Sequence, residues 1–367
     1  MKDQDSAIMY GTIDQHRDDW TYIADAGPVS RAYLRPTWYD AWAKAYSAQG
    51  NWSPPVRTIT VDDGNGNGSA FPYAVQKIGP FRFASLCGGY FPSRGIPFCG
   101  DAQKVAVLLG RAFSGIKGVS GIRLGPVQDD DILLRALEPA LRQMGWKWLT
   151  EEVGTEHVLD NPGGLEAFEA VRSKSRLKKI EQLWRGLCRN GPTELRHYNG
   201  VDTDWPQVFS DAAAVENAAW VSQRGETRFL GAENQLYWNS LAQDPWFAKA
   251  LHMWLVYHEE KPVSFVLAID SVDTRYLYAN SYDEAVAKYS TGAKIYSEIM
   301  RDAFGNDIGR VNIGLGDSGY KASWGAVMGA NLVDIIVFPP TIGGRLAYWV
   351  GRGHRAYSLW RKNRAQR

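Results

Sequence analysis

The chain has 367 residues, of which 45% are hydrophobic and 22% charged, and its formal net charge is +1. This is the composition of a globular protein with a large core, and no apolar run is long enough to span a bilayer. The length predicts two ordinary domains, whereas the net charge by itself indicates no particular partner.

The first residues, MKDQDSAIMYG, lack the apolar stretch of a signal peptide, so a cytoplasmic location is the expectation. The three cysteines, Cys87, Cys99 and Cys188, are odd in number and far apart in the chain. They fit free thiols in a reducing compartment better than a disulfide framework.

The first half of the chain alternates strand and helix patterns. Three consecutive segments with strand composition are separated by glycine-containing turns, and a helix-period segment, a short strand and a second helix follow. In chain order these segments are residues 55–61, 69–78, 81–91, 102–113, 121–125 and 131–145. The order predicts one mixed α/β unit.

Two helices are predicted between the halves. Residues 166–191 are rich in lysine and arginine, which fits either a solvated helix face or contact of Arg176, Lys178 or Lys179 with phosphates. Residues 205–225 form a second helical pattern in which Glu216 and Trp220, four positions apart, would share a face.

The second half repeats the opening steps of the first. Three strand patterns lead into a helix beginning near Gly292 and the strand RVNIGLG. Corresponding elements lie at similar offsets, such as 195 positions from Val56 to Leu251 and 190 from Gly121 to Val311. The pattern predicts a duplicated unit, with an N-terminal unit at 1–160, a second at 161–335 and a tail at 336–367.

Most strong catalytic signatures are missing from the sequence. It has no phosphate loop of the G-x-x-x-x-G-K type, and GDSGY lacks the last glycine of a nucleophile elbow. There is no CxxC, and no histidine pair has helical metal spacing. His252 and His258 could share a strand face, but no third ligand is apparent, so we expect no metal.

The segment YSTGAKIYSEIMRDAFG, residues 289–305, places a hydroxyl-rich and glycine-containing turn before an amphipathic helix. Ser290 and Thr291 can cap the helix, and Gly292 permits close approach to its backbone. Unpaired N–H groups and the helix dipole would suit a pyrophosphate there, although an ordinary helix cap gives the same pattern.

The segment VNIGLGDSGYKASWG ends a predicted strand with three glycines interleaved with polar side chains. Polar residues just past a strand end are well placed for a functional site. The alternative is a glycine-rich turn with a surface aspartate and lysine.

In this order, SKSRLKKIEQLWRGL, VENAAWVSQRG, the hairpin around EEKPVSFVLA, the 289–305 segment and VNIGLGDSGYKASWG resemble the GNAT-like acyltransferases of the BioF2-like, or CelD-type, group. That group is related to the FemAB aminoacyl ligases. The resemblance covers about residues 30–335 and implies an α/β fold of two tandem GNAT-like units, each a mixed sheet flanked by helices. The second unit would hold the acyl-donor site.

In GNAT enzymes the loop before the central helix binds the pyrophosphate of coenzyme A through backbone amides. Here that stretch is KYSTGA, with Thr291 where a glycine is usual, so acyl-CoA is the expected donor while acyl carrier protein and aminoacyl-tRNA stay open. The residues that the resemblance implies for donor binding are Arg176, Lys288, Ser290, Thr291, Gly292, Ala293, Lys294 and Lys321.

The resemblance also implies direct acyl transfer from a thioester to an amine. Such a reaction needs an oxyanion donor, a base for the ammonium proton and an acid for the leaving thiolate. A backbone N–H near residues 280–282 would be the oxyanion donor. The candidate bases are Asp317 and Glu216, and the candidate acids are Tyr320 and Tyr282, with a structural hydrogen bond as the alternative for each.

The tail is basic and amphipathic. No acidic residue follows Asp334, whereas seven lysines and arginines do. Apolar residues lie near one helical stripe, so the tail could rest on an anionic membrane or dock on the protein body. The stripe consists of Ile342, Leu346, Trp349, Val350, Tyr357 and Trp360.

The sequence thus predicts a cytoplasmic, peripherally membrane-associated N-acyltransferase of cell-envelope biosynthesis, with acyl-CoA as donor. The acceptor would be an amino sugar of a polysaccharide or a lipid-like amine such as a long-chain base. A FemAB-like ligase, which alone would require contact with tRNA, and a non-catalytic scaffold are the alternatives.

Overall fold

A computed structural model describes residues 7–28, 31–48, 52–89, 94–161, 163–170, 174–316 and 319–365. The chain divides into two compact units, and the second is inserted into the first. Unit 1 comprises Met1–Gly154 with Ala330–Arg367, and unit 2 comprises Thr155–Gly329. The sequence predicted linear limits at residues 160 and 335, whereas unit 1 is built from two separate segments.

The first part of unit 1 holds short and long strands with four helices. The strands are β1 (Ala7–Gly11), β2 (Trp52–Asp62), β3 (Gly68–Ile78), β4 (Phe81–Leu86), β5 (Phe98–Cys99), β6 (Gly121–Arg123) and β7 (Val127–Gln128). The helices are α1 (Arg17–Ala26), α2 (Pro36–Tyr46), α3 (Ala102–Ser114) and α4 (Ile132–Gln143).

Strand β8 (Lys147–Asp160) leads into unit 2. Its further strands are β9 (Thr193–Asn199), β10 (Leu251–His258), β11 (Lys261–Ser271), β12 (Thr274–Tyr282) and β13 (Arg310–Leu315). Its helices are α5 (Gly164–Ala170), α6 (Lys174–Cys188), α7 (Trp205–Ala218), α8 (Trp220–Arg224), α9 (Ala232–Ala242), α10 (Pro245–Ala250), α11 (Thr291–Gly305) and α12 (Tyr320–Ser323). Strand β14 (Val327–Phe338) and helix α13 (Ile342–Ala365) return the chain to unit 1.

The sheets of the two units have the same order. In unit 1, β2, β3 and β4 form an antiparallel meander, β4 pairs in parallel with β6, and β6 pairs antiparallel with β14. In unit 2, β10, β11 and β12 form the meander, β12 pairs in parallel with β13, and β13 pairs antiparallel with β8. A long helix precedes the parallel strand in both, α3 and α11 respectively. The predicted duplication is therefore present as topology.

Helices cover both faces of the unit 2 sheet. On β11, Val266 belongs to a buried cluster that includes Ile295 and Ile299 of α11, whereas its neighbour Phe265 packs edge-on against Phe229. Successive side chains of a strand point to opposite faces, so the two sides of the sheet carry separate cores. This layering fixes α11 against the sheet.

Two helix predictions between the halves need correction. The pattern over 166–191 is divided into α5 and α6. The pattern over 205–225 breaks at Ala219, whose backbone is extended (φ −102°, ψ 160°), because α7 ends there and α8 begins. Glu216 is buried and Trp220 is 38% exposed, so the prediction that they share one helix face is wrong.

Among the described residues, no helix combines the length and the apolar character needed to cross a bilayer.

Candidate functional site

The N-terminus of α11 is prepared by an unusual backbone turn. After β12, a 3-10 turn at Glu284–Tyr289 ends at Ser290, which lies in the left-handed region (φ 52°, ψ 45°). A serine there is strained, and such strain is often found at functional sites. The Ser290 side chain makes no capping hydrogen bond to α11. The predicted cap is therefore not formed by this side chain.

The backbone N–H groups in the first turn of α11 are also accessible to a ligand. Helix geometry leaves the N–H groups of Thr291 and Gly292 without intrahelical acceptors. A Cβ added at Gly292 would meet no atom within 4 Å, and its φ lies outside the left-handed region. Neither crowding nor backbone conformation thus requires glycine at this position. A ligand that approaches the backbone amides closely would require it, because a side chain would stand in its way.

The equivalent helix of unit 1 differs at this point. Asp101 caps α3, and its Oδ1 accepts hydrogen bonds from the backbone N–H groups of Gln103 at 2.8 Å and Lys104 at 3.1 Å. A carboxylate thus already occupies the place that an anionic ligand would take. Of the two related helices, α11 is the one whose N-terminus has no such side-chain cap.

Strands β12 and β13 part next to this helix. They pair over Thr274–Tyr276 and Arg310–Asn312, and β12 then continues along β11 to Tyr282. Opposite β11, Ala279 and Leu277 are consecutive partners, so Tyr278 forms a bulge. Bulges often redirect a strand beside an active site. The segment 280–282, predicted to supply the oxyanion donor, lies beyond this bulge, and Tyr282 at its end is 37% exposed.

The three predicted lysines have different surroundings. The Lys294 ammonium group lies 2.7 Å from Glu181 and 2.9 Å from Glu298. Burial lowers the pKa of Lys294, but the hydrogen bonds to these carboxylates outweigh it and raise the pKa overall. Lys321 is buried and donates to the carbonyl oxygens of Gly314 and Leu315, both at 2.8 Å. Lys288 is exposed, with its ammonium 5.1 Å from the Tyr289 ring centroid.

Arg176 lies at a pocket whose lining residues do not include the turn before α11. Its guanidinium sits 4.5 Å from the ring centroid of Trp324 and donates to the carbonyl oxygen of Ser323 at 2.6 Å. Both side chains line a pocket of about 460 Å³, with Phe168 among the other lining residues. The pocket therefore combines aromatic walls with a guanidinium and the carboxylate of Asp160, which suits a ligand with apolar and polar parts.

The predicted acid Tyr320 is linked to α11 through a second tyrosine. The hydroxyl groups of Tyr320 and Tyr296 lie 3.1 Å apart, and the Tyr296 ring stacks on Trp324. Burial, with the neighbouring Tyr320, raises the pKa of Tyr296 well above its ordinary value. Tyr296 therefore stays protonated and can donate to the Tyr320 oxygen. Sequence reasoning did not find Tyr296, which reads as an ordinary apolar position of the helix.

The predicted base Glu216 is engaged with the backbone. Its carboxylate accepts hydrogen bonds from the N–H groups of Arg228, Phe229 and Leu230 at 2.8–3.0 Å. Burial raises the pKa of Glu216, whereas these bonds lower it, and the result is a raised pKa. The geometry favours a structural role in holding this loop. The other predicted base, Asp317, lies outside the described residues.

The role of Glu216 can be tested by stability. Glu216→Gln is expected to lower the free energy of unfolding by about 1–3 kcal/mol, because an amide cannot accept all three backbone hydrogen bonds. Urea unfolding measures the change, with Glu233→Gln, at an exposed position of the same unit, as the control. Unchanged stability with lost activity would instead assign Glu216 to the chemistry.

Residues 174–322, which form most of unit 2, match the family model described as an acetyltransferase (GNAT) domain. We refer to this matched part of the chain as the GNAT domain. Within these residues, α11 is the helix whose first turn is open, and β12 is the strand that separates from β13 after Tyr276. The resemblance to the GNAT and FemAB-related group is confirmed, as is the α/β fold of tandem GNAT-like units.

Solved structures extend the likeness beyond the GNAT domain to nearly the whole chain. FemX matches with a TM-score of 0.61 and 11% identity, over 94% of this chain and 99% of its own. A conserved protein of unknown function from Bacteroides thetaiotaomicron matches with a TM-score of 0.54 and 13% identity, over 91% and 100% of the two chains. At these identities the likeness shows the fold. No curated protein matches significantly.

Proposed function

We propose that the chain is an N-acyltransferase of the BioF2-like type, which moves an acyl group from acyl-CoA to an amine. The observation that supports this most directly is the open N-terminus of α11 beside the splayed end of β12. Its free amides and positive dipole end suit the pyrophosphate of coenzyme A. Ser290, Thr291, Gly292 and Ala293 would supply the backbone around it, and the exposed Lys288 would add a positive charge.

The thioester carbonyl would then lie along β12 beyond Tyr276, where the pairing with β13 has ended and the bulge at Tyr278 follows. The amine nitrogen attacks this carbonyl carbon, so that a C–N bond forms and the C–S bond breaks. A backbone N–H of residues 280–282 would stabilise the oxyanion. Tyr320, hydrogen-bonded to the protonated Tyr296, would give its proton to the departing thiolate, and the proton that the amine nitrogen loses would return to the Tyr320 oxygen, so that no proton is gained or lost overall.

Unit 1 would serve as a non-catalytic unit that binds the acceptor or supports the fold. The capping of α3 by Asp101 supports this assignment, because the carboxylate blocks and repels an anionic donor at the equivalent helix.

The acceptor would be an amine of an envelope component, either an amino sugar of a polysaccharide or a lipid-like amine. An aminoacyl-tRNA donor, as in FemAB-like ligases, is the second candidate, because the fold of FemX extends over nearly the whole chain. A helix N-terminus that binds pyrophosphate can also bind an RNA phosphate.

Ligand-induced thermal stabilisation separates these donors. Coenzyme A and acyl-CoA are expected to raise the melting temperature of the full chain, whereas unrelated RNA and aminoacyl-tRNA are expected to leave it unchanged. A shift with aminoacyl-tRNA alone would favour the ligase. No shift with any donor would leave the non-catalytic scaffold as the better description. Mass spectrometry of acyl-CoA reactions with a panel of amines would then identify the acceptor.

We further propose that α13 places the protein on an anionic membrane surface. Four residues of the stripe predicted from the sequence lie within the described side chains, and none of the four is buried against the body. Ile342, Leu346, Trp349 and Val350 are 58–81% exposed, whereas Ala347 on another face of the helix is buried against the unit. Tyr357 and Trp360 lie outside the residues whose side chains are described. The body thus leaves these four apolar side chains largely in solvent, whereas Tyr348 packs on Phe338.

The charge around this stripe favours an anionic surface. Arg345 and Arg352 lie on the same exposed part of α13, and no acidic residue follows Asp334. A basic helix with exposed Trp and Leu side chains can insert its apolar edge at the headgroup level.

Flotation with vesicles that contain phosphatidylglycerol tests this surface. The double variant Leu346→Asp, Trp349→Asp is expected to lower vesicle binding by about tenfold or more, because each side chain loses roughly 1.5–3 kcal/mol of apolar burial. Ile132→Asp alters a residue of α4 with 53% exposure and is expected to bind as the unchanged protein does. Equal flotation of all three proteins would refute the membrane contact.

A further inference from the structure

A row of polar side chains crosses four adjacent strands of unit 2. His197 lies on β9, His252 on β10, Asp270 on β11 and Arg275 on β12. His197 Nε2 lies 3.0 Å from His252 Nδ1, and His252 Nε2 lies 3.2 Å from Asp270 Oδ2. Asp302 of α11 joins the row through a 2.6 Å contact with the Arg275 guanidinium. The side chains therefore form one connected cluster on a single face of the sheet.

Three members of this cluster present metal-ligating atoms to one point. One nitrogen of His197, one nitrogen of His252 and a carboxylate oxygen of Asp302 all lie within 4.8 Å of one another. Ligands at about 2.0–2.2 Å from a shared Zn²⁺ are roughly 3–4 Å apart, so small side-chain rotations would close the site. The side chains come from three different elements, β9, β10 and α11.

The surroundings of His252 fix its orientation as in a metal site. Its Nε2 faces Asp270, which is itself held by two 2.7 Å hydrogen bonds from Arg275. When Nε2–H donates to this carboxylate, the lone pair on Nδ1 points toward His197. Histidine ligands of metals commonly donate their second nitrogen to a carboxylate in this way, which sets the tautomer and strengthens the ligand.

The charge of the cluster also favours a cation. Two carboxylates and one guanidinium sum to one negative charge when both histidines are neutral. His252 is 8% exposed and Arg275 1% exposed, so solvent screens these charges only in part. A divalent cation would compensate the remaining negative charge and coordinate both histidine nitrogens.

We propose that His197, His252 and Asp302 form a binding site for a divalent transition metal of the Zn²⁺ class. Two imidazoles and one carboxylate are ligands that suit Zn²⁺, and the exposed position of His197 leaves room for a water as the fourth. When the ion binds, His197 would carry its proton on Nδ1, so that Nε2 presents a lone pair to the metal beside His252 Nδ1. The ion joins the edge strand β9 and β10 to the C-terminal half of α11, so its role is to stabilise the GNAT domain.

Calorimetric titration of the metal-free full chain with Zn²⁺ tests this site. We expect one equivalent to bind, with affinity at least about tenfold lower in His197→Ala and His252→Ala, and about 10–100-fold lower in Asp270→Asn. The control is His258→Ala, which alters the far end of β10, where the imidazole bonds to Thr193 at 2.8 Å. This variant is expected to bind Zn²⁺ as the unchanged protein does.

The exposed position of His197 on an edge strand makes His197→Ala the deciding variant, since its loss is not expected to disturb folding. Circular dichroism confirms the fold of each variant before titration. The proposal is overturned if the unchanged protein binds no Zn²⁺, or if His197→Ala binds it with undiminished affinity. Because the readout is metal binding, the result is independent of whether the protein transfers acyl groups.

Discussion

Replacing Gly292 with glutamate is expected to abolish coenzyme A binding while leaving the fold unchanged. A Cβ at this position meets no protein atom within 4 Å, and the backbone needs no positive φ. Any residue with a side chain can therefore be accommodated in the free protein, and acidic residues are favourable in the first turn of a helix. The new carboxylate would, however, occupy and repel the pyrophosphate site.

The expected loss is more than about 100-fold in the dissociation constant for coenzyme A, since like-charge contact in a binding site costs several kcal/mol. Gln103→Glu is the matched control, because it adds a carboxylate at the same position of α3 in unit 1. Calorimetry with coenzyme A and thermal unfolding measure the two properties separately. Undiminished binding by Gly292→Glu would show that the donor binds elsewhere.

The buried Arg275 guanidinium is expected to contribute strongly to the stability of unit 2. Arg275→Met is expected to lower the free energy of unfolding at pH 7 by about 3–5 kcal/mol. The guanidinium is 1% exposed and pairs with both Asp270 and Asp302. Methionine fills a similar volume but leaves the two partly buried carboxylates without their cation. Urea unfolding of both proteins measures the difference.

The difference in the free energy of unfolding between Arg275→Met and the unchanged protein should depend on pH. Burial raises the pKa of Asp270, but hydrogen bonds with Arg275 and His252 outweigh it and hold the pKa at about 2. The pKa is thus depressed in the folded state, so its stabilisation is present above the unfolded value of about 3.9 and is lost as the pH falls toward 2. Without Arg275 the carboxylates protonate more readily, so the difference in stability between the variant and the unchanged protein should shrink as the pH falls through about 4 toward 2.

Arg310→Met provides the control for this prediction. The Arg310–Asp160 pair has similar chemistry, but its side chains are 50% and 46% exposed. Because solvent screens such pairs, its removal should change the free energy of unfolding by less than about 1 kcal/mol. Equal effects of the two substitutions would contradict the importance of burial for the Arg275 cluster.

Local patterns predicted the central elements of both units. The segments 55–61 and 69–78 lie within β2 and β3, and the helix pattern 102–113 lies within α3. These elements have strong periodicity and clear turns at their ends. The start of α11 was also found, because its serine, threonine and glycine residues form a recognisable helix entry.

Two strands and much of the site could not be found in this way. Strands β8 and β14 were not predicted, because their partners are remote in the chain, as with Arg310 of β13 opposite Asp160 of β8. Lys294 and Lys321 looked available for phosphate, but their partners Glu181 and Gly314 come from other elements. The Asp101 cap, by contrast, was visible as an aspartate directly before a helix pattern and would have distinguished α3 from α11.

The insertion of unit 2 into unit 1 has a consequence for synthesis of the protein. Strand β6 of unit 1 pairs with Ile336 and Val337 of β14, which follow it by more than 200 positions. The ribosome therefore completes the chain of the GNAT domain before it makes the last strand of the enclosing unit. A nascent chain arrested after residue 329 would contain a whole GNAT domain and a unit 1 whose β6 lacks this partner, exposed to chaperones and proteases until translation resumes.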